Sequence, residues 1–316
     1  PELRAELAGH LARVRAAAPE PGGIVVTAGV AQMLATVPRI LIEEGHHVLA
    51  VEDPLGHHQI PMLGATGIEL AGVPVDEEGI DVAALAHTSA RAVLVTPAHQ
   101  YPTGVVLSPR RRSALIEWAR DVDALIIEDD YDGEFRYDRD PVGCLRGLAP
   151  DRVLLAGSVS KALSPALRLG WAVAPPWLAV RLRAARALHD LGSSVLDQHV
   201  LARMIASGEY ARHLRVMRRR YRARRDAFVA ALRERLPEVR VHGVSAGLHA
   251  YAELPGTCDE TAVVAKAAAL GVAIEGVAPM RVGRPGPPAI VVGYARLSER
   301  RLAEAVDLLA AAVRAV

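Results

Sequence analysis

The chain opens on a charged amphipathic stretch, PELRAELAGHLARVRAAAPEP, and then changes period. From Gly23 to about Val173, short apolar β-rich runs alternate with helical patterns. The runs are GIVVTAG, HHVLAVEDP, GIELAGVPVD, RAVLVTPAH, DALIIEDD, DRVLLAGS and LRLGWAVA, and the helical patterns between them include Gln32 to Glu44 and Pro109 to Arg120. This alternation predicts an α/β fold built on a mostly parallel sheet with helices on both faces. From Pro176 the texture changes to long Ala- and Arg-rich helical segments, Leu178 to Leu191 and Asp197 to Leu236, the second broken near Ser207 and Gly208. VRVHGVSAG, LHAYAEL, a helix at Asp259 to Leu270, AIVVGYARL and a closing helix from Glu299 then predict a smaller α+β domain. RVGRPGPPA, Arg281 to Ala289, is expected to be a flexible or turning loop. The division expected is an N-terminal helical segment at 1–20, a large domain at 21–205 and a small C-terminal domain at 206–316. A prior of roughly 100 to 200 residues per domain agrees with that count.

Composition excludes several classes. With 51% hydrophobic residues, 23% charged residues and a formal net charge of +1, the 316 residues form an ordinary globular composition, without a field strong enough to hold nucleic acid or an anionic membrane. Cys144 and Cys258 lie far apart and lack CxxC spacing, which argues against a disulfide framework or a zinc site and fits the reducing cytoplasm. No apolar run approaches the ~18 residues of a membrane span, so no membrane partner is expected. The opening helix does not read as a signal peptide, and the missing initiator Met suggests a fragment of something longer. One stretch tempts a nucleic-acid reading: ARHLRVMRRRYRARRD, Ala211 to Asp226, holds eight arginines. At helical spacing they cover most of the circumference, leaving Leu214, Val216, Met217 and Tyr221 to pack, which reads as a basic helix of the small domain.

In doubly wound sheets ligands bind beyond the carboxyl ends of the strands. Four such ends carry unusual residues. In VVTAGVAQM a strand meets Gly29 at a tight turn and a helix starts near Val30, whose exposed N–H groups make an anion cradle. In ALIIEDDYDGEFRY, Asp129 and Asp130 follow a buried-type strand with Tyr131 next; either the pair caps a turn, or one Asp faces a bound protonated nitrogen. In LLAGSVSKALSPALRLGWAVAP, Ser158 and Ser160 precede Lys161, and Arg168 follows. Hydroxyls and a guanidinium suit a phosphate. The chain has only two lysines among its 37 Lys and Arg, Lys161 and Lys266. Lys266 sits on an Ala-rich helix as a solvated surface residue, whereas a partly desolvated Lys161 beside a phosphate site is suited to attack a carbonyl as a Schiff-base lysine. In VTPAHQYPTGVVLS, prolines fix a segment that holds His99, Gln100 and Tyr101 rigidly on a loop. A phosphorylated aromatic aldehyde with a basic ring nitrogen satisfies all four features. Pyridoxal 5'-phosphate is such a molecule.

The run of VVTAGVAQ, VEDP, VPVDEEGIDVAAL, TPAHQYPTGVVLS, IIEDDYDGEFRYDRDPVG, GSVSKALSPALRLGW and GYARLSE resembles the fold-type I aminotransferase domain of MocR-type regulators in the GntR superfamily. The resemblance covers nearly the whole chain. It implies that Lys161 forms the Schiff base with the cofactor, that Asp129 takes the pyridinium nitrogen and Tyr131 the phenolic oxygen, and that these three are the catalytic set. The phosphate falls to backbone N–H groups of Val30 and Ala31 with Ser158, Ser160 and Arg168, and His99 and Tyr101 line the cofactor loop. Homodimers with active sites at the subunit interface are implied as well.

Three departures accompany the resemblance. Tyr101 replaces the Asn of the usual NPTG motif, a change shared by MocR-like sequences. EDPLGHHQI stands where relatives read EDPGYPGAR, so His57 or His58 is a candidate for the stacking place; adjacent histidines with no further ligand at metal spacing argue against a metal site. The substrate-carboxylate Arg expected before GY is Val291, with Arg281, Arg284 and Arg296 as possible substitutes. Two functions stay open: the effector-sensing domain of a regulator, binding an amine, an amino acid or the cofactor and reaching DNA through an upstream winged helix-turn-helix, or a free-standing aminotransferase of amino-acid metabolism.

Overall fold

The computed structural model describes residues 1–137 and 143–316; the end of the EDDYDGEFRYDRDPVG motif, residues 138–142, lies outside the described residues. A first helix, α1 (Glu2–Arg15), leads into a sheet of eight strands: β1 (Ile24–Thr27), β2 (Val48–Asp53), β3 (Glu69–Asp76), β4 (Gly79–Ile80), β5 (Ala92–Val95), β6 (Leu125–Asp129), β7 (Val153–Ser158) and β8 (Gly170–Val173). Between them run α2 (Val30–Glu43), α3 (Gln59–Gly64), α4 (Val82–Ala86) and α5 (Pro109–Asp121). The spatial order is β1-β8-β7-β6-β5-β2-β3-β4. The central pairs β7–β6, β6–β5, β5–β2 and β2–β3 are parallel, while β8 runs antiparallel to both β1 and β7.

The continuous apolar runs of the middle strands are explained by cover on both faces. Successive residues of β5 point to opposite sides: Leu94 joins Met33, Leu34 and Val37 of α2, whereas Val93 and Val95 join Leu115, Ile116 and Trp118 of α5. At the β1–β8 side, Leu3, Leu7 and Leu11 of α1 pack with Ile24, Val26, Trp171 and Val173.

Beyond the sheet come α6 (Pro176–His189), α7 (Val195–Ala206) and α8 (Glu209–Arg235). The break expected near Ser207 and Gly208 is present; Gly208 takes a left-handed φ of 76° between α7 and α8. Of the eight arginines in the basic stretch, Arg225 is buried and donates to Val244 O, Arg218 donates to Glu134 O at 2.7 Å, and Leu214 and Tyr221 are buried as expected. A second sheet follows, made of β9 (Arg240–His242), β10 (His249–Glu253), β11 (Glu275–Gly276) and β12 (Ala289–Gly293) in the order β11-β12-β10-β9, with α9 (Glu260–Ala269) and α10 (Glu299–Arg314) packed on it. The loop from Arg281 is not loose at its start: Asp53, at the end of β2, accepts from Val282 N at 3.1 Å and Gly283 N at 2.8 Å. No helix among the described residues is long and apolar enough to cross a membrane.

Candidate functional site

Strand register brings the sequence's separate strand ends to one edge. Gly170 of β8 pairs with Thr27 on one side and Ser158 on the other, so the turn into α2 and the turn after β7 lie level. Asp129 pairs with Ala156, two residues before Ser158, and closes the row on β6.

The phosphate-like corner forms around Gly29. Its φ of 92° is a backbone state that favours glycine, and α2 starts at the next residue, leaving the N–H groups of Val30 and Ala31 at a helix N-terminus. Arg168, itself at φ 47°, donates to Ala28 O at 2.8 Å, and its guanidinium lies over Gly29, where a Cβ would meet Nη2 at 3.3 Å. Ser158 and Ser160 are half-buried in the turn beyond β7, and Ser160 N donates to Ser158 Oγ at 3.4 Å. Lys161 follows in the same turn. It is exposed rather than partly desolvated as the sequence pattern predicts, and its charge bears on both Asp129 and His249.

The other half of the site is buried. Glu128, Asp129, Asp130, Asp132 and Glu134 place five carboxylates within seven residues. Asp130 is answered by Arg15, whose Nη2 and Nε lie 2.8 and 2.7 Å from its two oxygens. His99 Nδ1 stands 2.7 Å from Asp132 Oδ2, and His10 Nε2 stands 2.7 Å from Glu134 Oε1. Glu128, alternating to the opposite face from Asp129, accepts from Arg146 N at 3.2 Å and feels the charges of Arg15 and Arg112; burial still pushes its carboxyl up to about 7. Among the described residues, no cation lies within ion-pair distance of Asp129. Gln59 Nε2 reaches Asp129 Oδ2 at 3.3 Å, while Oδ1 is buried with no hydrogen-bond partner. Burial, then the neighbouring Asp130 and Asp132 charges, push this carboxyl up to about 7.

Around Asp129 the aromatic residues interlock. Burial by itself lowers the His99 pKa, but Asp132 at 2.7 Å and Gly243 O at 2.9 Å outweigh it and raise the imidazole. His99 Nδ1 also lies 2.9 Å from the hydroxyl of Tyr131, whose phenol burial and the Asp132 charge hold well above its ordinary value. The turn at Gly247 permits this: at φ 81°, a Cβ there would come within 2.3 Å of the His99 ring. His249 closes over the group, 4.8 Å from the Tyr101 ring and 5.2 Å from that of His99, and burial depresses it to about 3, so it is neutral. Tyr101 donates to Glu275 Oε2 at 3.2 Å.

His57 and His58, the candidates for the stacking place, lie with their ring centres 3.6 Å apart. His57 Nδ1 turns to Glu275, 3.4 Å away, the neighbouring Gln59 reaches Asp129, and the Tyr101 ring packs against Gly56. Val291 is buried among Tyr251, Val277 and Met280, with Tyr101 against them. Of the proposed substitutes, Arg281 bonds to the Tyr251 phenol, beside Val291 in the sheet register, while Arg284 and Arg296 lie outside the paired strands and are both exposed. Sequence reasoning missed Gln59, Asp132, His249 and Arg15. Asp132 and Gln59 were present in quoted motifs, EDDYDGEFRY and EDPLGHHQI; Arg15 and His249 come from segments whose distance along the chain gave no sign.

A buried, unanswered carboxylate level with a lysine, beside a helix N-terminus with an arginine over it, on a sheet of this order, defines a fold-type I aminotransferase domain. The sequence profile described as aminotransferase class I and II matches residues 1–309, and the chain belongs to that family. It is 39% identical over 251 residues, 78% of its length, to the HTH-type pyridoxine biosynthesis transcriptional regulator PdxR of Corynebacterium glutamicum. It is 30% identical over its full length to the probable rhizopine catabolism regulatory protein MocR of Rhizobium meliloti. The chain covers 54% of the first and 64% of the second, so it spans between half and two thirds of these relatives. Among solved structures, the α-aminoadipate aminotransferase LysN of Thermus thermophilus, complexed with N-(5'-phosphopyridoxyl)-L-leucine, superposes with a TM-score of 0.91 at 27% identity, over 99% of this chain and 81% of that one.

Proposed function

We propose that this chain is the effector-sensing domain of a MocR-type, GntR-superfamily regulator, with residues 21–205 as its cofactor-binding domain and 206–316 as its small domain. It binds pyridoxal 5'-phosphate and reports on an amine, an amino acid or the cofactor itself. The observation that carries the cofactor is Asp129, whose buried Oδ1 at the strand end has no partner while Asp130, Asp132 and Glu134 beyond it are answered from within the chain; Glu128 Oε1 is likewise unpartnered but alternates to the opposite face of the sheet. A charged or protonated group from outside suits that oxygen. Pyridoxal 5'-phosphate, when bound, supplies an aldehyde that condenses with primary amines and a ring that withdraws electrons once its nitrogen is protonated.

The residues fit each part of that molecule. Lys161 is the primary amine on the site's edge. Asp129 would hold the ring nitrogen and its proton, Tyr131 and Tyr101 would meet the phenolic oxygen, and His99, 2.9 Å from the Tyr131 hydroxyl, would orient that hydroxyl. Val30 and Ala31 offer backbone N–H groups to the phosphate, with Ser158, Ser160 and Arg168 adding hydroxyls and a bidentate cation. Val291 offers no charge to an α-carboxylate, so the clamp that would hold an amino acid for rapid proton removal is weak. A sensor needs only different affinity in two states.

A homodimer is supported by apolar side chains left exposed where α6 meets α7: Leu188, Leu191, Val195, Leu196 and Val200. DNA is then reached through a winged helix-turn-helix outside this chain, in the cytoplasm. The free-standing aminotransferase keeps one observation in its favour, the match of the enzyme family over residues 1–309.

Borohydride reduction of the cofactor-loaded chain, followed by peptide mapping, tests the cofactor. The adduct is expected on Lys161 and absent from Lys161→Ala. An adduct elsewhere refutes the assignment. A keto-acid screen across an amino-acid panel separates the two functions: slow or no multiple turnover fits the sensor, and rapid turnover with an ordinary α-amino acid establishes the enzyme.

A further inference from the structure

Within the loop from Glu128 to Glu134, two of the answering groups come from one distant element, α1. His10 faces Glu134 and Arg15 faces Asp130, 124 and 115 residues away along the chain. Both are buried, at 4% and 2% exposure, and Leu3, Leu7 and Leu11 of the same helix are fixed in the core. Arg15 also terminates its helix against the site's underside, where its carbonyl accepts from Cys144 N at 2.9 Å. A buried carboxylate whose cation is removed carries a large desolvation cost, and the neighbouring carboxylate then ionises less readily.

We propose that Arg15 is a positioning residue for Asp129: by neutralising Asp130 it leaves Asp129 as the carboxylate free to pair with the protonated ring nitrogen of the cofactor. Arg15 makes this contribution without touching the cofactor, through the residue next in sequence to the acid. The inference rests on the cofactor reading above. By reciprocity, cofactor binding holds α1 on the sheet by the same coupling free energy that α1 docking adds to cofactor affinity. The surroundings agree: Asp130 is faced by Arg15, by the Asp132 and Glu134 charges on its own loop and by the backbone of Gly133, and Arg15 is the cation bonded to it.

The test measures pyridoxal 5'-phosphate dissociation constants and the ring-nitrogen NMR shift of ¹⁵N-labelled cofactor in three proteins: the unmodified chain, Arg15→Met, and Arg15→Met with Asp130→Asn. Binding by the unmodified chain tests the cofactor reading itself; if it fails, the positioning role falls with it. Given that binding, Arg15→Met is expected to weaken affinity by roughly tenfold or more and to move the nitrogen shift toward the unprotonated value. The double variant, with no unanswered charge, is expected to return both to within about threefold of the unmodified protein. Unchanged affinity and nitrogen shift in a folded Arg15→Met overturn the proposal, even if its melting temperature falls. If Arg15→Met does not fold, Arg15→Gln is read by the same criterion: weakened affinity with a shifted nitrogen signal supports the role, and unchanged values overturn it.

Discussion

The two halves of the site are built on opposite terms. The ring side is enclosed by its own chain, with Asp129, Asp132, His99 and His249 all buried and held by α1, the β5–α5 loop and the second sheet. The phosphate side, with Lys161, Ala31 and Arg168, is exposed. Gln32 on that side donates to Asp190 at 2.6 Å, and Asp190 directly precedes the exposed apolar residue Leu191. Electrostatic preorganisation is strongest where water is excluded, so the half that tunes charge is enclosed. The half that must admit an anion and an amine stays open. Changes on the ring side should therefore alter chemistry and folding together, and changes on the phosphate side should alter affinity alone.

The largest effect expected is at Asp129. Asp129→Asn removes the counter-charge of the ring nitrogen, and conversion of bound cofactor by an added amine or amino acid should slow by about a hundredfold or more in single-turnover absorbance measurements. Unchanged rates would move the role to another carboxylate. Next is Arg168→Met. A hydrogen bond to a charged group contributes about 1.5–3 kcal/mol, so cofactor affinity should fall roughly tenfold to a hundredfold, with inorganic phosphate competing less well. The melting temperature of the cofactor-free chain should not move, because Arg168 is exposed; a large drop would show that the two halves are not separate in the way described.

The smallest effect concerns pH. Glu52, Glu128 and Asp129 are each pushed up to about 7 by burial. In the pH range between the ordinary carboxylate value, about 4, and 7, the folded chain therefore holds protons that the unfolded chain has released. Stability from these groups is complete below the unfolded values and is lost as pH rises through about 7. Differential scanning calorimetry of the cofactor-free chain should show a melting temperature that falls by a few degrees from acid to neutral pH, with a shallower slope in Asp129→Asn. An equal slope in that variant would assign the effect to Glu52 and Glu128.

Much of this was written locally. The turn at Gly29, the break at Gly208, the alternating faces of β5 and the row of strand ends follow from dihedral freedom and side-chain period, which act over a few residues. The sequence also marked Lys161, Asp129 and Arg168, since each sits at a strand end whose direction the α/β pattern implies. The answering partners were a different matter. Asp129 and Asp130 are neighbours of the same type, and nothing in the string says that Arg15 neutralises one while Gln59 only grazes the other, that His249 folds over His99, or that His57 turns to Glu275. Local rules determined where charged groups emerge because backbone geometry is set by near neighbours. Which charge is answered and which is left for a ligand depends on distance in space and on burial, and both arise only when segments more than a hundred residues apart, such as α1 and the loop after β6, pack together.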